Sequence, residues 1–129
     1  MSADVTAEVL DFMSRYREAW DRLDLDAVTA CYTTPTCVAH LSGVSRLADE
    51  EAKRDYFGQR LDALRSQGPH RWDALDVDVQ PAGRTGAVYA VRWVCRRADG
   101  SLIEEFGDTY LLAREHGRWL VLADVVHPA

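Results

Sequence analysis

The feature that most constrains this fold is a run of alternating apolar and polar residues from Gly86 to His127. Alternation with a period of two is typical of strands that are buried on one face. The first of two short turns in this run contains Asp99-Gly100, a strong hairpin signal, because both positions must tolerate positive φ. Consecutive hairpins form an antiparallel meander with one face that must be covered. The run therefore predicts three strands, over 86–97, 102–115 and 119–127.

The N-terminal half of the chain predicts three helices and two further strands. Apolar residues at three- and four-residue spacing form the stripe of a first helix. Asp24 is placed to cap a short second helix, with Cys31 and Tyr32 on its inner face. Acidic residues at 49–51 begin a third helix, which Gly68-Pro69 ends. The predicted elements are a helix over 4–22, a short helix that ends at 33–35, a strand over 36–41, the third helix and a strand over 75–80.

Three helices packed on a strongly twisted antiparallel sheet are an α+β arrangement, here a single domain over 1–129. A sheet that curves around the helices gives a cone-shaped α+β barrel with a cavity inside. The outer face of the strand over 86–97 mixes apolar and arginine side chains, which favours cover by a second subunit. We therefore expect a homodimer through the outer-face residues Ala90, Arg92, Val94 and Arg96.

Charge and sequence pattern argue against two classes of partner. The 129 residues carry a formal net charge of −6, which repels nucleic-acid phosphates and anionic membranes. No apolar run approaches the roughly 20 residues of a membrane helix, and the first residues lack the pattern of a signal peptide. The three cysteines (31, 37 and 95) are odd in number and widely spaced. This pattern favours small buried thiols in a reducing cytosol over a framework of disulfides. We expect a cytoplasmic protein that binds neither nucleic acid nor membrane.

Several short motifs follow one another along the chain. They are Arg15-Tyr16, Asp24-Leu25-Asp26-Ala27-Val28, Cys31-Tyr32, Phe106-Gly107-Asp108-Thr109-Tyr110-Leu111-Leu112 and Gly117-Arg118-Trp119. With this element order, the chain resembles the nuclear transport factor 2-like superfamily over about Val9 to Val126. That group includes ketosteroid isomerases and SnoaL-like polyketide cyclases, and its fold hosts many unrelated functions.

The resemblance to ketosteroid isomerases implies three catalytic residues. Those enzymes use a tyrosine on the first helix, a carboxylate base on the short strand and a protonated aspartate on a late strand. The resemblance places Tyr16 at the tyrosine position, Asp108 at the late aspartate and His40 at the base. A histidine in place of the carboxylate departs from the family pattern, although free histidine also exchanges protons near neutral pH.

Each of these polar candidates has a structural interpretation beside the functional one. Asp108 shares its strand face with Phe106 and Tyr110, where an unpaired charge costs several kcal/mol. It is either a hydrogen-bonded structural aspartate or a site acid. His40 is either a packing residue or a group that exchanges protons with a ligand. His127 either reaches the cavity mouth or lies in a frayed terminus.

Aromatic residues on predicted inward faces form the expected wall of a ligand site. Small-molecule sites are typically apolar and aromatic with a few converging polar groups. No histidine or cysteine pair has metal-ligand spacing and no glycine-rich phosphate loop is present, so we expect neither a metal nor a cofactor. The predicted ligand-binding residues are Trp20, Tyr32, Tyr56, Tyr89, Trp93, Tyr110 and Trp119.

The sequence leaves three functions open. The first is a pocket protein of the SnoaL-like or ketosteroid-isomerase-like type, acting as a cofactor-free acid–base isomerase or cyclase. The second is a dimeric accessory domain that binds a small hydrophobic molecule without catalysis. The third is a structural dimerisation module. Catalysis requires His40 and Asp108 to face one cavity, whereas binding requires only the cavity.

Overall fold

The computed structural model describes residues 2–129, which form three helices and six strands. Met1, where the predicted domain begins, lies outside the described residues. The helices are α1 (Ser2–Asp21), α2 (Leu25–Ala30) and α3 (Glu50–Arg65). The strands are β1 (Tyr32–His40), β2 (Gly43–Leu47), β3 (His70–Ala82), β4 (Gly86–Arg97), β5 (Leu102–Glu115) and β6 (Arg118–His127).

The described strands form one open sheet in the order β2-β1-β6-β5-β4-β3. Neighbouring strands are antiparallel except β1 and β6, which are parallel. A parallel pair needs a long connection, and the chain between β1 and β6 provides it. Helices on one sheet confirm the predicted α+β class and the meander of β4, β5 and β6. The sheet differs from the prediction in its one parallel pairing.

The turns of the meander form because their residues accept positive φ. At the β4–β5 turn, Gly100 has a φ of +87° and Asp99 Oδ1 accepts hydrogen bonds from the backbone N–H and the hydroxyl of Ser101. At the β5–β6 turn, His116 and Gly117 have φ values of +53° and +76°, as a two-residue hairpin turn requires. The bounds of β4 and β5 match the predicted strands, and β6 begins one residue earlier.

The largest correction to the predicted elements lies around β1. The prediction placed Cys31 and Tyr32 on the second helix, but α2 ends at Ala30 and Tyr32 begins β1. Tyr32 pairs with Val121 of β6, and its carbonyl accepts a hydrogen bond from Lys53 Nζ at 3.0 Å. These contacts come from elements distant in sequence, and tertiary contacts override local helix preference.

Two strands extend the sheet beyond the prediction. The segment after β1, for which the sequence predicted no strand, forms β2, which pairs with β1 through a tight turn. β3 begins at His70, earlier than predicted, and its added part contains the buried Trp72. Farther along, the β3 register shifts between Leu75 and Asp78, and Asp76 there has a φ of +53°. Such a bulge increases the local twist of the sheet, and α1 packs against this strand.

A second bulge lies in β6. Adjacent residues of β5 pair with Val121 and Ala123, so Leu122 is an extra residue without a partner on β5. One extra residue exchanges the two faces for everything that follows it. Val121 is buried before the bulge, whereas Asp124 is buried and Val125 is exposed after it.

Helix caps and the core follow the predicted pattern. Asp24 Oδ1 accepts from the backbone N–H of Ala27, and Asp49 Oδ1 from that of Ala52. α1 packs on the inner face of the sheet against β3, β4 and β6. Within the described chain, none of the helices combines the length and apolar character needed to cross a bilayer. The buried side chains of α1 are Val5, Val9, Phe12, Met13, Tyr16, Ala19 and Trp20.

Candidate functional site

A cavity of about 800 Å³ lies between the inner face of the sheet and helices α1 and α3. Ligand sites for small organic molecules span roughly 300–1,000 Å³, so this volume accommodates such a ligand. Aromatic side chains and two carboxyl groups make up much of its wall. The lining includes Tyr16, Trp20, Tyr32, Tyr56, Phe57, Trp72, Trp93, Phe106, Asp108, Tyr110 and Asp124.

The two carboxyl groups, Asp108 on β5 and Asp124 on β6, are neighbours in this wall. Tyr110 pairs with Asp124 in the sheet, so Asp108 is the diagonal neighbour of Asp124 on the same face. Asp108 and Asp124 are 3% and 4% exposed, and their side chains hydrogen-bond to each other. A carboxylate cannot donate, so this bond requires a proton on one of them. The Oδ1 atom of each lacks a hydrogen-bond partner among the described residues.

Burial favours the neutral form of both carboxyls to a similar degree, and the effect of each carboxyl on the other distinguishes them. Burial disfavours a charged group and, with the negative charge of Asp124, raises the pKa of Asp108 to about 10. Burial also raises the pKa of Asp124, to about 6, against the lowering effects of the Asp108 hydrogen bond and the charge of Arg60. Near neutral pH the pair therefore holds one proton, and the directions of these effects favour Asp108 as its carrier. Two carboxyls with separated pKa values are typical of a site with one acid and one base.

Three tyrosine hydroxyls form a hydrogen-bonded chain beside the carboxyl pair. Trp93 Nε1 donates to the Tyr110 hydroxyl at 2.9 Å, and Tyr110 donates to the Tyr16 hydroxyl at 3.2 Å. The hydroxyls of Tyr16 and Tyr32 share a third bond of 2.7 Å. Four hydrogens serve three bonds, so this network leaves one hydroxyl hydrogen of Tyr16 or Tyr32 for a ligand. Burial raises the pKa of all three hydroxyls well above the ordinary value, which keeps them protonated.

Two indole N–H groups in the wall have no protein partner. Trp20 and Trp72 are 9% and 5% exposed, and the Nε1 atom of each lacks a hydrogen-bond acceptor among residues 2–129. The other two tryptophans are satisfied: Trp93 donates within the tyrosine chain, and Trp119 Nε1 donates to Glu8 Oε1 at 2.8 Å. A buried polar group left unpaired costs about 1–3 kcal/mol. Both Nε1 atoms are shielded from the cavity as well as from solvent.

The cavity mouth lies among the β1–β2 turn, α3 and the start of β5. His40 lines it, with Nδ1 hydrogen-bonded to Ser42 Oγ at 2.8 Å and Nε2 to Ser45 Oγ at 3.1 Å. Arg60 of α3 and Glu104 of β5 approach each other with 3.8 Å between Nη2 and Oε1. Both side chains are partly exposed, so this is a weak, solvent-screened pair.

The structure places the three predicted catalytic residues at different depths. Tyr16 and Asp108 both lie in the buried part of the wall, and the Tyr110 hydroxyl donates to that of Tyr16. His40 lines the same cavity but is only half-buried. Of the predicted ligand-binding aromatics, Trp20, Tyr32, Tyr56, Trp93 and Tyr110 line the cavity.

Two predicted ligand-binding residues are not part of the described cavity wall. Tyr89 packs edge-on behind Tyr110, with 6.0 Å between the ring centroids. Trp119 is buried and hydrogen-bonded to Glu8 near the start of β6. Strand alternation identified the inward face for both, but it carries no information about where along that face the cavity ends. We do not include Tyr89 or Trp119 in the candidate site.

Asp124 and Trp72 are site residues that sequence reasoning missed. Alternation from Trp119 onward assigns Asp124 to the outer face, and only the bulge at Leu122 turns it inward. The same bulge places His127 on the outer face, where Nε2 is 3.2 Å from Thr109 Oγ1, and not at the cavity mouth. Trp72 was missed because β3 begins at His70, before the alternating segment from which this strand was predicted.

The chemistry of this site is that of carboxyl, phenol and indole groups. Within the described part of the chain, no group of three or more His, Cys, Asp or Glu side chains is arranged to hold a metal ion. The cavity presents two carboxyl groups and several phenol hydroxyl groups around an aromatic space. This arrangement can polarise a carbonyl group and exchange a proton beside it.

Comparisons with known proteins agree with this fold. The model of a family described as NTF2-like protein (DUF6841) matches residues 7–129. No curated protein sequence matches the chain. A similar solved structure is an NTF2-like protein of unknown function from Pseudomonas putida KT2440, 18% identical with a TM-score of 0.83, where the alignment covers 98% of this chain and 88% of that one.

Two further solved structures carry more specific names. A candidate dehydratase of the NTF2-like family from Streptomyces avermitilis is 15% identical with a TM-score of 0.79, covering 99% of this chain and 97% of that one. The protein Aln2 from another Streptomyces species is 20% identical with a TM-score of 0.75, covering 97% and 91%. Identities this low show a common fold, and a fold alone does not give the function.

Proposed function

The chain belongs to the NTF2-like protein family (DUF6841), and on that premise we propose that its cavity binds a small, mainly apolar carbonyl compound and moves a proton on it without a cofactor. The observation that carries the proposal is that Asp108 and Asp124 lie buried side by side in the cavity wall. Isomerases and cyclases that work by enolisation need such an acid and base at adjacent positions.

In the proposed reaction, Asp124 is the base. Its carboxylate takes a proton from the carbon next to the ligand carbonyl, and the electron pair of that C–H bond forms the enolate. On binding, the Asp108 O–H turns from Asp124 to the ligand, so that Asp108 and the available hydroxyl of the Tyr16–Tyr32 pair donate hydrogen bonds to the enolate oxygen. Protonated Asp124 then returns the proton, either to another carbon in an isomerisation or to the alkoxide formed when the enolate closes a ring.

His40 is the alternative base that the family resemblance implies. Both of its ring nitrogens hydrogen-bond to serines of its own hairpin at the cavity mouth. Asp124, by contrast, is buried beside the protonated Asp108 and near the tyrosine chain. This difference supports Asp124 as the base.

Binding without catalysis is the second candidate function. The aromatic wall of the cavity supports it, because that wall is complementary to a small apolar ligand whatever happens to the ligand afterwards. The two candidates differ in one observable, which is proton exchange on a bound ketone.

That observable can be measured with 2-tetralone, an enolisable bicyclic ketone, in deuterated buffer. Proton NMR follows the loss of the signals of the carbon-bound hydrogens next to the carbonyl. We expect the protein to accelerate this exchange, with a rate that rises as pH passes through about 6 and Asp124 ionises. Asp124→Asn is expected to lower the rate by roughly 100-fold or more, whereas Asp78→Asn, at an exposed aspartate of β3, retains it.

The outcomes separate the alternatives. Retained exchange in Asp124→Asn with loss in His40→Gln would assign the base to His40 and contradict the proposal for Asp124. Binding of 2-tetralone without accelerated exchange would support the non-catalytic function. An unchanged NMR spectrum with no binding would contradict both.

We also propose that a second copy of the chain covers the outer face of the sheet. Leu111 and Val125 are 47% and 50% exposed there. Arg92 is paired with acidic residues of its own sheet, so its charge does not oppose an apolar contact. Val94, one of the predicted contact residues, is already buried within the chain. The register aligns an apolar stripe across the sheet: Val88, Leu111 and Ala123 in one row, and Ala90, Thr109, Val125 and Ala39 in the next.

A further inference from the structure

Lys53 on α3 is a buried charged residue that the proposed reaction does not use. Its side chain is 1% exposed. Nζ donates to the carbonyl of Tyr32 at 3.0 Å and to the hydroxyl of Thr34 at 2.9 Å, and it pairs with Glu50 Oε1 at 2.9 Å. The Thr34 hydroxyl also donates to Glu50, and the hydrogen bonds from Lys53 and Thr34 hold the pKa of Glu50 below its ordinary value. An ammonium has three donors, and all three are used here.

These contacts lie where β1 leaves the sheet. Between Tyr32 and Cys37, β1 advances by five residues while β6 advances by two. Pairing of β1 with β2 begins only at Thr36, so residues 33–35 have no partner strand within the described sheet. Tyr32 is therefore the last paired residue before a segment that the sheet does not hold. Its buried carbonyl needs a donor, and Lys53 supplies it from the adjacent helix.

The same helix also holds the side chain of Tyr32. Phe57 lies one turn after Lys53 on α3, and its ring packs on the Tyr32 ring with 4.5 Å between the centroids. The Tyr32 hydroxyl then lies 2.7 Å from that of Tyr16 in the cavity wall. A tyrosine side chain has two rotatable bonds before its ring, so the backbone position and the ring plane together determine where its hydroxyl lies.

Lys53 itself is not part of the described cavity wall. Tyr32 lines the cavity, and it also lines a separate polar cleft in which Lys53 lies. The Glu50 carboxylate offsets the charge of the ammonium, so little net charge acts on the cavity from this side. Any effect of Lys53 on a reaction in the cavity therefore passes through Tyr32.

We infer that Lys53 is a positioning residue: by holding the Tyr32 carbonyl where β1 leaves the sheet, it places the Tyr32 hydroxyl in the donor network that the ligand oxygen meets. The inference rests on the proposed function for the role of that hydroxyl. A misplacement of about 1 Å can cost about 100-fold in rate. Because Phe57 and Tyr16 still contact Tyr32 when the ammonium is removed, we expect a smaller loss, of about tenfold.

A double-mutant cycle in the 2-tetralone exchange assay tests this role. Lys53→Met and Tyr32→Phe are each expected to lower kcat about tenfold with little change in KM. In the Tyr32→Phe background, Lys53→Met is expected to change kcat by less than about twofold, because the group that it positions is already absent. A residue that acts elsewhere in the fold would give the same factor in both backgrounds. Arg54→Met, at a neighbouring exposed ion pair, is the matched control and is expected to retain the wild-type kcat.

A second variant and a measurement without ligand accompany the cycle. Thr34→Val removes one acceptor of the ammonium at an exposed position, and we expect a loss of about threefold in kcat that also disappears in the Tyr32→Phe background. The position of the ring is followed by fluorine NMR of protein labelled with 3-fluorotyrosine, in which Tyr32→Phe identifies the Tyr32 signal. Lys53→Met is expected to shift that signal and Arg54→Met to leave it unchanged. Circular dichroism shows which variants are folded.

The results distinguish this inference from the proposed function. A wild-type kcat in folded Lys53→Met, or a loss that persists in the Tyr32→Phe background, would overturn the positioning role and leave the proposed chemistry intact. An equal loss in Arg54→Met would also overturn it, because the rate would then respond to any charge removed from α3. Absence of exchange in the wild type would overturn the proposed chemistry. In that case a shifted Tyr32 signal in Lys53→Met would still support the placement of Tyr32, and an unchanged signal would overturn it.

Discussion

Replacing Asp108 with asparagine tests whether a neutral carboxyl lies in the cavity wall. Folding raises the pKa of Asp108 from an ordinary value of about 3.9 to about 10, mainly through burial. Between these two values, the folded protein holds a proton that the unfolded chain has released. The contribution of Asp108 to stability is therefore most favourable below the unfolded pKa and is lost progressively as pH rises toward the folded pKa.

The size of the expected pH dependence follows from the one proton that Asp108 releases when the protein unfolds. A difference of one bound proton changes the free energy of unfolding by about 1.4 kcal/mol per pH unit. The window from about pH 6.5 to about pH 8 isolates Asp108, because Asp124 has a pKa of about 6 and is largely ionised there in both states. We expect wild-type stability to fall by about 2 kcal/mol across this window. That is a large part of the roughly 5–15 kcal/mol typical of a domain.

Urea unfolding followed by tryptophan fluorescence measures this slope at three or more pH values. Asp108→Asn keeps the side-chain shape and cannot ionise, so its stability is expected to stay nearly constant over the same window. Asp78→Asn is the control and is expected to keep the wild-type slope, because this residue is exposed on β3. A wild-type stability that is flat or rises with pH, or an equal slope in Asp108→Asn, would refute a buried protonated Asp108.

Three further substitutions test other features of the structure. Lys53→Met removes a buried ammonium whose Nζ bonds to a backbone carbonyl, a hydroxyl and a carboxylate. We expect the free energy of unfolding, measured in urea, to fall by about 2–3 kcal/mol. The control is Arg54→Met at an exposed ion pair, for which we expect a fall of less than about 1 kcal/mol. Asp49→Ala removes the cap of α3 and is expected to cost about 1 kcal/mol by the same measurement, a cost that serine at this position would largely avoid. Leu111→Arg places a charge on the outer sheet face, and we expect light scattering to show a dimer for the wild type and a monomer for this variant; equal masses would contradict the proposed interface.

Sequence reasoning succeeded where structure is determined locally. The β4–β5 hairpin was predictable to the residue because Asp99-Gly100 specifies the turn and alternation specifies both strands. The apolar stripe of α1 and the aspartate caps of α2 and α3 are equally local signals. The parallel pairing of β1 with β6 joins residues about ninety positions apart, and no short pattern reports it.

The candidate site was predictable only in part, for a related reason. Tyr16 and Asp108 were found through position in a family pattern, and the structure places both in the cavity wall. Asp124 was not found, because a strand with an inserted residue looks the same as a regular strand in its local composition. The extra residue, Leu122, becomes visible only when the pairing of β6 with β5 is known. Long-range register therefore determines half of the proposed acid–base pair.

The bulge in β6 links the proposed acid–base site to the proposed subunit contact, which otherwise lie on separate faces of the sheet. Loss of Leu122 from the gene would rotate the following segment by half a turn, exposing Asp124 and burying Val125. The interior would then lose its base, and the apolar outer stripe would gain a negative charge in the middle of a proposed subunit contact. A length change at this one position would therefore affect both the proposed site and the proposed contact, whereas a substitution on one face of β6 would affect only one of them.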